Sequence, residues 1–307
     1  MSDQDALQGY HGEVRALLER AGVEVGDEVE IQAGDEVYRG ILMSRYELAD
    51  PGYIVIKLPN GYNIGINASS ITSIRRVARA AKPRFIPPPR PPQKPGLPKV
   101  VIVSTGGTIA SRIDYRTGGV RAALTAEDLL SIVPELADIA DLDARILFSI
   151  YSEDMTPDHW NMMVAEVDKL IRGGVEGVVI AHGTDTMGYS AAALSFALQK
   201  PPVPVVFVGA QRSSDRPSSD AATNLIAAVR IAGHAPFAEV CVSMHAWHSD
   251  TVIAIHRGTR VRKLHTSSRD AFKSVNSEPI AYVYGGEIKI NTRNLNPRGS
   301  GDYKFEP

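Results

Sequence analysis

Eight of the chain's twenty prolines fall between Pro83 and Pro98. Proline fixes φ and cannot donate a backbone hydrogen bond, so no helix or central strand runs through such a stretch, which is extended and semi-rigid. Residues 1–82 and 99–307 must therefore fold on either side of a spacer at 83–98. From Arg75 to Lys99 there are eight basic residues and no acidic one, which suits RNA phosphate or an acidic partner as well as a plainly solvated linker.

The leading segment reads as a small β module. Val14, Leu17, Leu18 and Ala21 share one face of a short amphipathic helix that Gly22 can end. Short alternating runs follow at 28–31, 36–45, 53–58, 62–66 and 71–77, and Asn60-Gly61 between two of them is a two-residue hairpin signal. So many short strands in so few residues predict a small closed barrel, SH3-like or Sm-like, because closure removes exposed edges. Nothing in this module has catalytic spacing, and an interaction role fits it best.

Beyond Lys99 strand and helix alternate. The apolar run 100–103 breaks into Thr105-Gly106-Gly107-Thr108-Ile109-Ala110, and the run 177–181 breaks into His182-Gly183-Thr184-Asp185-Thr186. Thr125-Ala126-Glu127-Asp128 reads as a capping box before Leu129 and Leu130, and Thr156-Pro157 as an N-cap with proline at the first helical position. Helical patterns follow that N-cap through Leu170 and recur at 191–198 and 221–231, with strands at 203–208 and 240–243. The alternation predicts an α/β fold with a mostly parallel, doubly wound sheet. Such sheets bind ligands at the carboxyl ends of their strands, where both threonine-bearing turns would stand. A threonine hydroxyl there becomes a nucleophile if a base takes its proton.

Composition bounds the rest. With 44% hydrophobic and 22% charged residues and a net charge of -2, the chain can bury a sizeable core and has no global attraction to nucleic acid or membrane. The single cysteine, Cys241, lies between Val240 and Val242 and reads as a core residue, which excludes an internal disulfide framework. No apolar run is long enough to span a bilayer and no basic-then-apolar leader follows Met1, so a cytoplasmic location is expected. Gly106-Gly107 lacks the Gly-Lys-Ser/Thr ending of a phosphate loop, so no ATP site is expected on this chain. His245 and His248, with Asp250 nearby, are a weak metal signal without a convincing third ligand, and no bound metal is expected.

The paired turns resemble the signatures of the bacterial-type L-asparaginase family. By that resemblance Thr108 is the nucleophile, and Thr184 and Asp185 belong to a Thr-Asp-Lys triad whose lysine matches Lys263 in Arg260-Val261-Arg262-Lys263-Leu264-His265-Thr266. Tyr115 matches the tyrosine of the family's mobile loop and would assist Thr108, with Gly118 and Gly119 as hinges. Ser152-Glu153-Asp154-Met155 resembles the loop that, with Asp185, holds the substrate's α-amino and α-carboxylate groups, Glu153 standing where the family often has glutamine. The implied chemistry is hydrolysis of a side-chain amide through an acyl-enzyme.

A barrel and a proline spacer ahead of these motifs, with Gly209-Ala210-Gln211-Arg212-Ser213-Ser214-Asp215, resemble the GatD family, the asparaginase-like subunits of archaeal glutamyl-tRNA(Gln) amidotransferases. That resemblance implies a glutaminase that hydrolyses glutamine, or asparagine, and whose ammonia serves a partner, GatE, which uses ATP and Mg to convert Glu-tRNA(Gln) into Gln-tRNA(Gln). It also implies a smaller C-terminal α/β domain that supports a homodimer. The chain stops soon after Tyr284-Gly285-Gly286-Glu287, so that domain is expected to be absent. A free asparaginase or glutaminase and an inactive truncated binding chain stay open as alternatives.

Overall fold

The alternating residues between Glu28 and Ala78 form five antiparallel strands in a computed structural model of the chain, which describes residues 6–7, 9–45, 51–60, 62–79, 95–107, 111–114, 119–122, 126, 129–130, 133–212 and 218–306. The chain divides into two units, Met1–Ile86 with Ile113–Arg121, and Pro87–Arg112 with Ala122–Pro307.

In the first unit β1 (Glu28–Ala33), β2 (Glu36–Leu42), β3 (Tyr53–Lys57), β4 (Asn63–Asn67) and β5 (Ile71–Ala78) lie in the order β4-β3-β2-β1-β5. A single 3₁₀ turn, Ala68–Ser70, links β4 to β5, its start held by the Asn67 side chain accepting from the Ser69 N–H. Period-two alternation puts Val29, Ile31, Leu42, Ile54 and Ile56 into one core, closed by Val14 and Leu18 of helix α1 (Gly12–Ala21). Gly22, at φ 62, ends that helix in the left-handed conformation the sequence suggested. The β3–β4 connection is longer than a two-residue turn, because the Leu58 N–H donates to the Tyr62 carbonyl at 2.8 Å with three positions between. Gly61 itself lies outside the described residues.

Tyr10 fastens this core from inside. Its buried hydroxyl donates to the Met43 carbonyl at 2.8 Å and accepts from the Val55 N–H at 3.1 Å, and burial pushes the phenol up to about 12, so it keeps its proton. Tyr10→Phe leaves a buried carbonyl and N–H without their partner, a loss of about 1–3 kcal/mol. In urea unfolding the transition of the first unit is expected at a clearly lower midpoint; an unchanged midpoint contradicts the fastening role.

The second unit opens with β6 (Lys99–Gly106); β7 (Ser111–Asp114) and β8 (Gly119–Ala122) come next in the chain and pair only with each other; then the second unit continues with β9 (Asp141–Ile150), α2 (Pro157–Arg172), β10 (Gly177–Ala181), α3 (Met187–Ala197), β11 (Leu198–Gln199), β12 (Val205–Val208), α4 (Ala221–His234), β13 (Val240–His245), β14 (Val252–Arg257), β15 (Val261–Lys263), β16 (Phe272–Ser274), β17 (Ala281–Tyr284), β18 (Glu287–Ile290) and β19 (Lys304–Phe305). Eight strands form one sheet in the order β18-β17-β14-β13-β12-β10-β6-β9. The strands from β13 to β9 are parallel, and β14, β17 and β18 add an antiparallel edge. The alternation predicted the parallel part. At the antiparallel edge β17 and β18 are joined by Tyr284-Gly285-Gly286-Glu287, too short for a helical crossover, whose glycines take φ 56 and 83 in a tight hairpin.

Strands β10, β12 and β13 are buried at every position, as a sheet covered on both faces requires. On one face Val101, Val103, Ile180 and Phe207 pack against α2 and α3 through Met163, Val167, Met187 and Leu194. On the other, Ile102, Val179 and Val206 pack against α4 through Leu225, Ala228 and Ala232. Thr156 caps α2 in a box closed by the His159 side chain, with Pro157 in the first turn. Of the other expected capping box, Thr125, Glu127 and Asp128 lie outside the described residues. Cys241 is fully buried, and burial pushes its thiol up, so it is an inert core residue. Among the described residues no helix is long and apolar enough to cross a membrane.

Candidate active site

Parallel pairing brings the strand ends level. Ala181 at the end of β10 stands opposite Ser104 of β6 and Val208 of β12, so the turns after these strands leave the sheet side by side. They then touch at glycines. Gly107 sits at φ 78, and a Cβ there would stand 2.9 Å from the Gly183 nitrogen. A Cβ on Gly183 would stand 2.7 Å from the Ser152 Cβ, and one on Gly209 would stand 2.9 Å from the Thr184 methyl. Only glycine permits this approach. Two threonines tie the turns together: Thr105 Oγ1 donates to the Ala181 carbonyl at 3.0 Å, and Thr186 Oγ1 to the Ser152 carbonyl at 2.7 Å.

Lys263, the last residue of β15, enters this cluster from far along the chain. Its Nζ donates to Thr184 Oγ1 at 2.8 Å and to Asp185 Oδ1 at 2.7 Å. The lysine side chain is 11% exposed and that of Asp185 63%, so the ammonium is sheltered while the carboxylate reaches solvent. Arg262 stacks over the Tyr189 ring of α3 at 5.1 Å, which holds β15 beside that helix. An ammonium bridging a hydroxyl and a carboxylate can exchange a proton with the hydroxyl while the carboxylate fixes its position. The first turn of α3, directly after Thr186, adds backbone N–H groups and a positive dipole end for an anion.

Ser152 is buried against Gly183 at the start of the 3₁₀ turn Ser152–Asp154, and Glu153 on the same turn is exposed. Thr184, Asp185, Lys263 and Ser152 are thus gathered in one place. Thr108 and Tyr115, the other residues singled out from the sequence, lie outside the described residues.

A second set of polar residues was missed. Buried Asp220 accepts from the Gln211 N–H at 3.0 Å and the Arg212 N–H at 2.9 Å, and Gln211 Nε2 donates to the Ser268 carbonyl at 2.8 Å. An aspartate directly ahead of a helix is a readable N-cap signal. Here its carboxylate reaches back to the preceding turn, which only the folded chain reveals. His245 and His248 do not converge on a common point. His245 contacts Asn224 and Asp250, His248 faces Asp270 at 3.5 Å, and among the described residues no group of three or more His, Cys, Asp or Glu could hold a metal ion.

These features define an asparaginase-type amidohydrolase. The asparaginase N-terminal family matches residues 99–296, and the GatD N-terminal domain family matches residues 23–77. The chain is 49% identical over 304 residues to the GatD subunit of the glutamyl-tRNA(Gln) amidotransferase of Thermofilum pendens, covering 95% of this chain and 67% of the relative. It is 52% identical over 295 residues to that of Pyrococcus furiosus, covering 94% of this chain and 67% of the relative. The thermostable L-asparaginase from Thermococcus kodakarensis superposes with a TM-score of 0.59 at 34% identity, over 68% of this chain and 60% of that one. The chain belongs to the GatD family of glutamyl-tRNA(Gln) amidotransferase subunits, and it spans about two thirds of the length of the relatives it matches.

Two buried histidines make the fold acid-sensitive. Burial pushes His182, whose Nδ1 donates to the Gly183 carbonyl at 2.6 Å, down to about 4, and burial together with Lys273 does the same to His256. Both rings stay neutral in the fold, whereas in an unfolded chain they take up protons below about pH 6.5. Stability is therefore complete above about pH 6.5 and falls toward pH 4, each ring contributing up to roughly 1.4 kcal/mol per pH unit. Denaturant midpoints between pH 7 and 4.5 are expected to fall, and less steeply in His256→Gln; parallel slopes contradict the assignment.

Proposed function

We propose that this chain is the glutaminase subunit of a tRNA-dependent amidotransferase. It hydrolyses the side-chain amide of glutamine to supply ammonia for converting Glu-tRNA(Gln) to Gln-tRNA(Gln). The observation that carries this reading is Lys263 bridging Thr184 at 2.8 Å and Asp185 at 2.7 Å at the carboxyl ends of the parallel strands. The match of residues 23–77 to the GatD N-terminal domain favours a coupled subunit over a free asparaginase.

In this reading the Thr108 hydroxyl, assisted by Tyr115, attacks the amide carbon of the substrate. Ammonia leaves with the proton that Thr108 gives up, and an acyl-enzyme remains. Water then cleaves that ester, giving glutamate and restoring Thr108. Lys263 and Thr184 form the proton path for the water, and Asp185 holds the lysine. Asp185, with its exposed carboxylate, also meets the substrate's α-amino group, and Ser152 and Glu153 complete the binding of its α-amino and α-carboxylate ends. Ammonia passes to a partner of the GatE type, which carries the ATP and Mg and the Glu-tRNA(Gln). Together with the family's C-terminal domain, a cytoplasmic homodimer is the assembly in which we expect it to work.

Lys263→Ala in the complete subunit is expected to lower ammonia release from glutamine by about 10²- to 10⁴-fold, the usual worth of a positioned proton-transfer group. Release by the parent should rise when GatE and Glu-tRNA(Gln) are added. Equal release with and without them would identify a free amidohydrolase instead, and an active Lys263→Ala variant would remove Lys263 from the mechanism.

A further inference from the structure

His245 closes β13 fully buried, yet both of its ring nitrogens face oxygen atoms. Nδ1 lies 2.7 Å from Asn224 Oδ1, and Nε2 lies 3.0 Å from Asp250 Oδ1. The orientation of the Asn224 amide is fixed, because its Nδ2 donates at 3.0 Å both to the Gly209 carbonyl and to Asp220 Oδ2; a flipped amide would set oxygen against oxygen at both places. Asn224 Oδ1 is therefore an acceptor. Asp250 Oδ1 is an acceptor as well, since it also takes a hydrogen bond from Arg269 Nη1 at 2.5 Å. A ring between two acceptors satisfies both only when each nitrogen carries a proton.

The chain of contacts runs on to the candidate active site. Asn224 holds the Gly209 carbonyl and Asp220, and Asp220 in turn holds the Gln211 and Arg212 N–H groups, so the whole turn after β12 hangs on this network. Gly209 lies directly against the Thr184 methyl, and Gln211 reaches the Ser268 carbonyl in the loop that follows Lys263. Thr184 and Lys263 are thus supported on two sides by one turn.

We infer that His245, doubly protonated between Asn224 and Asp250, is a positioning residue for the Thr184–Lys263 pair, acting through Asn224 and the Gly209–Arg212 turn. The Asp250 carboxylate, itself tied to Arg269, balances the ring's charge on one side, and Asp220 lies behind Asn224 on the other. The functional part of this inference rests on Thr184 and Lys263 being the reacting pair; the structural part does not.

The test compares the parent and His245→Gln, in which one side-chain amide can no longer donate to both acceptors, by crystal structure and by steady-state ammonia release from the complete subunit. In the variant the Gly209–Arg212 turn is expected to shift and the Thr184–Lys263 hydrogen bond to open. The kcat for glutamine should fall about 10- to 100-fold with KM within about twofold, as expected for small displacements of reacting groups. An unmoved Thr184–Lys263 pair, or a lower melting temperature with unchanged kcat per folded molecule, overturns the inference. If the parent releases no ammonia, the functional proposal fails and the crystallographic comparison alone decides the positioning role. Should His245→Gln not fold, Asp250→Asn, at an exposed side chain, takes its place with the same expected kcat and KM pattern.

Discussion

The site depends on close contact at glycines among the turns that leave the parallel strands. Gly107 rests on Gly183, Gly183 on Ser152, and Gly209 on Thr184, each at a distance that would put a Cβ inside its neighbour's van der Waals envelope. The register of β6, β10 and β12 makes the contact possible, because it sets Ser104, Ala181 and Val208 level with one another. Without that register Lys263 would have no fixed hydroxyl to meet. The placing of the Thr184 hydroxyl beside Lys263 is here a matter of main-chain geometry first and side-chain chemistry second.

Rigidity at the strand ends is supplied by polar groups in the otherwise apolar core around α4. Asp220, Asn224 and His245 are all buried, and each is satisfied by hydrogen bonds. A buried network of this kind stabilises only when every member has a partner, since each orphaned group would cost several kcal/mol of lost hydration. Closing it fixes one arrangement of the Gly209–Arg212 turn. His182 adds a different kind of constraint. Its Nδ1 is committed to the Gly183 carbonyl, and its buried Nε2 has no partner among the described residues, so the ring is held in the neutral form.

Much of this was legible in the sequence. The five strands of the first unit could be placed within a few residues because half-buried strands alternate strictly. Thr184, Asp185 and Lys263 were named from the resemblance of their segments to the asparaginase family, and Lys263 meets the other two within hydrogen-bond distance. The hydrogen bonds of His245 were not legible. Read along the chain, it paired with His248 as a weak metal motif, but the strand end turns the two rings toward different carboxylates. The Asp220 network was invisible for the same reason, because its donors come from a turn whose path depends on where β12 stops.

The sequence by itself determined the strands of the first unit, the residue types of the candidate site and the strands that carry them. Period-two alternation and glycine-threonine turns are local properties, written in neighbouring residues. Tertiary structure decided the antiparallel edge of the sheet, the commitment of Asp220 to the preceding turn, and the burial of His245 between two acceptors. Those outcomes depend on which distant segments pack together, and a hydrogen bond between residues far apart in the chain has no local signature.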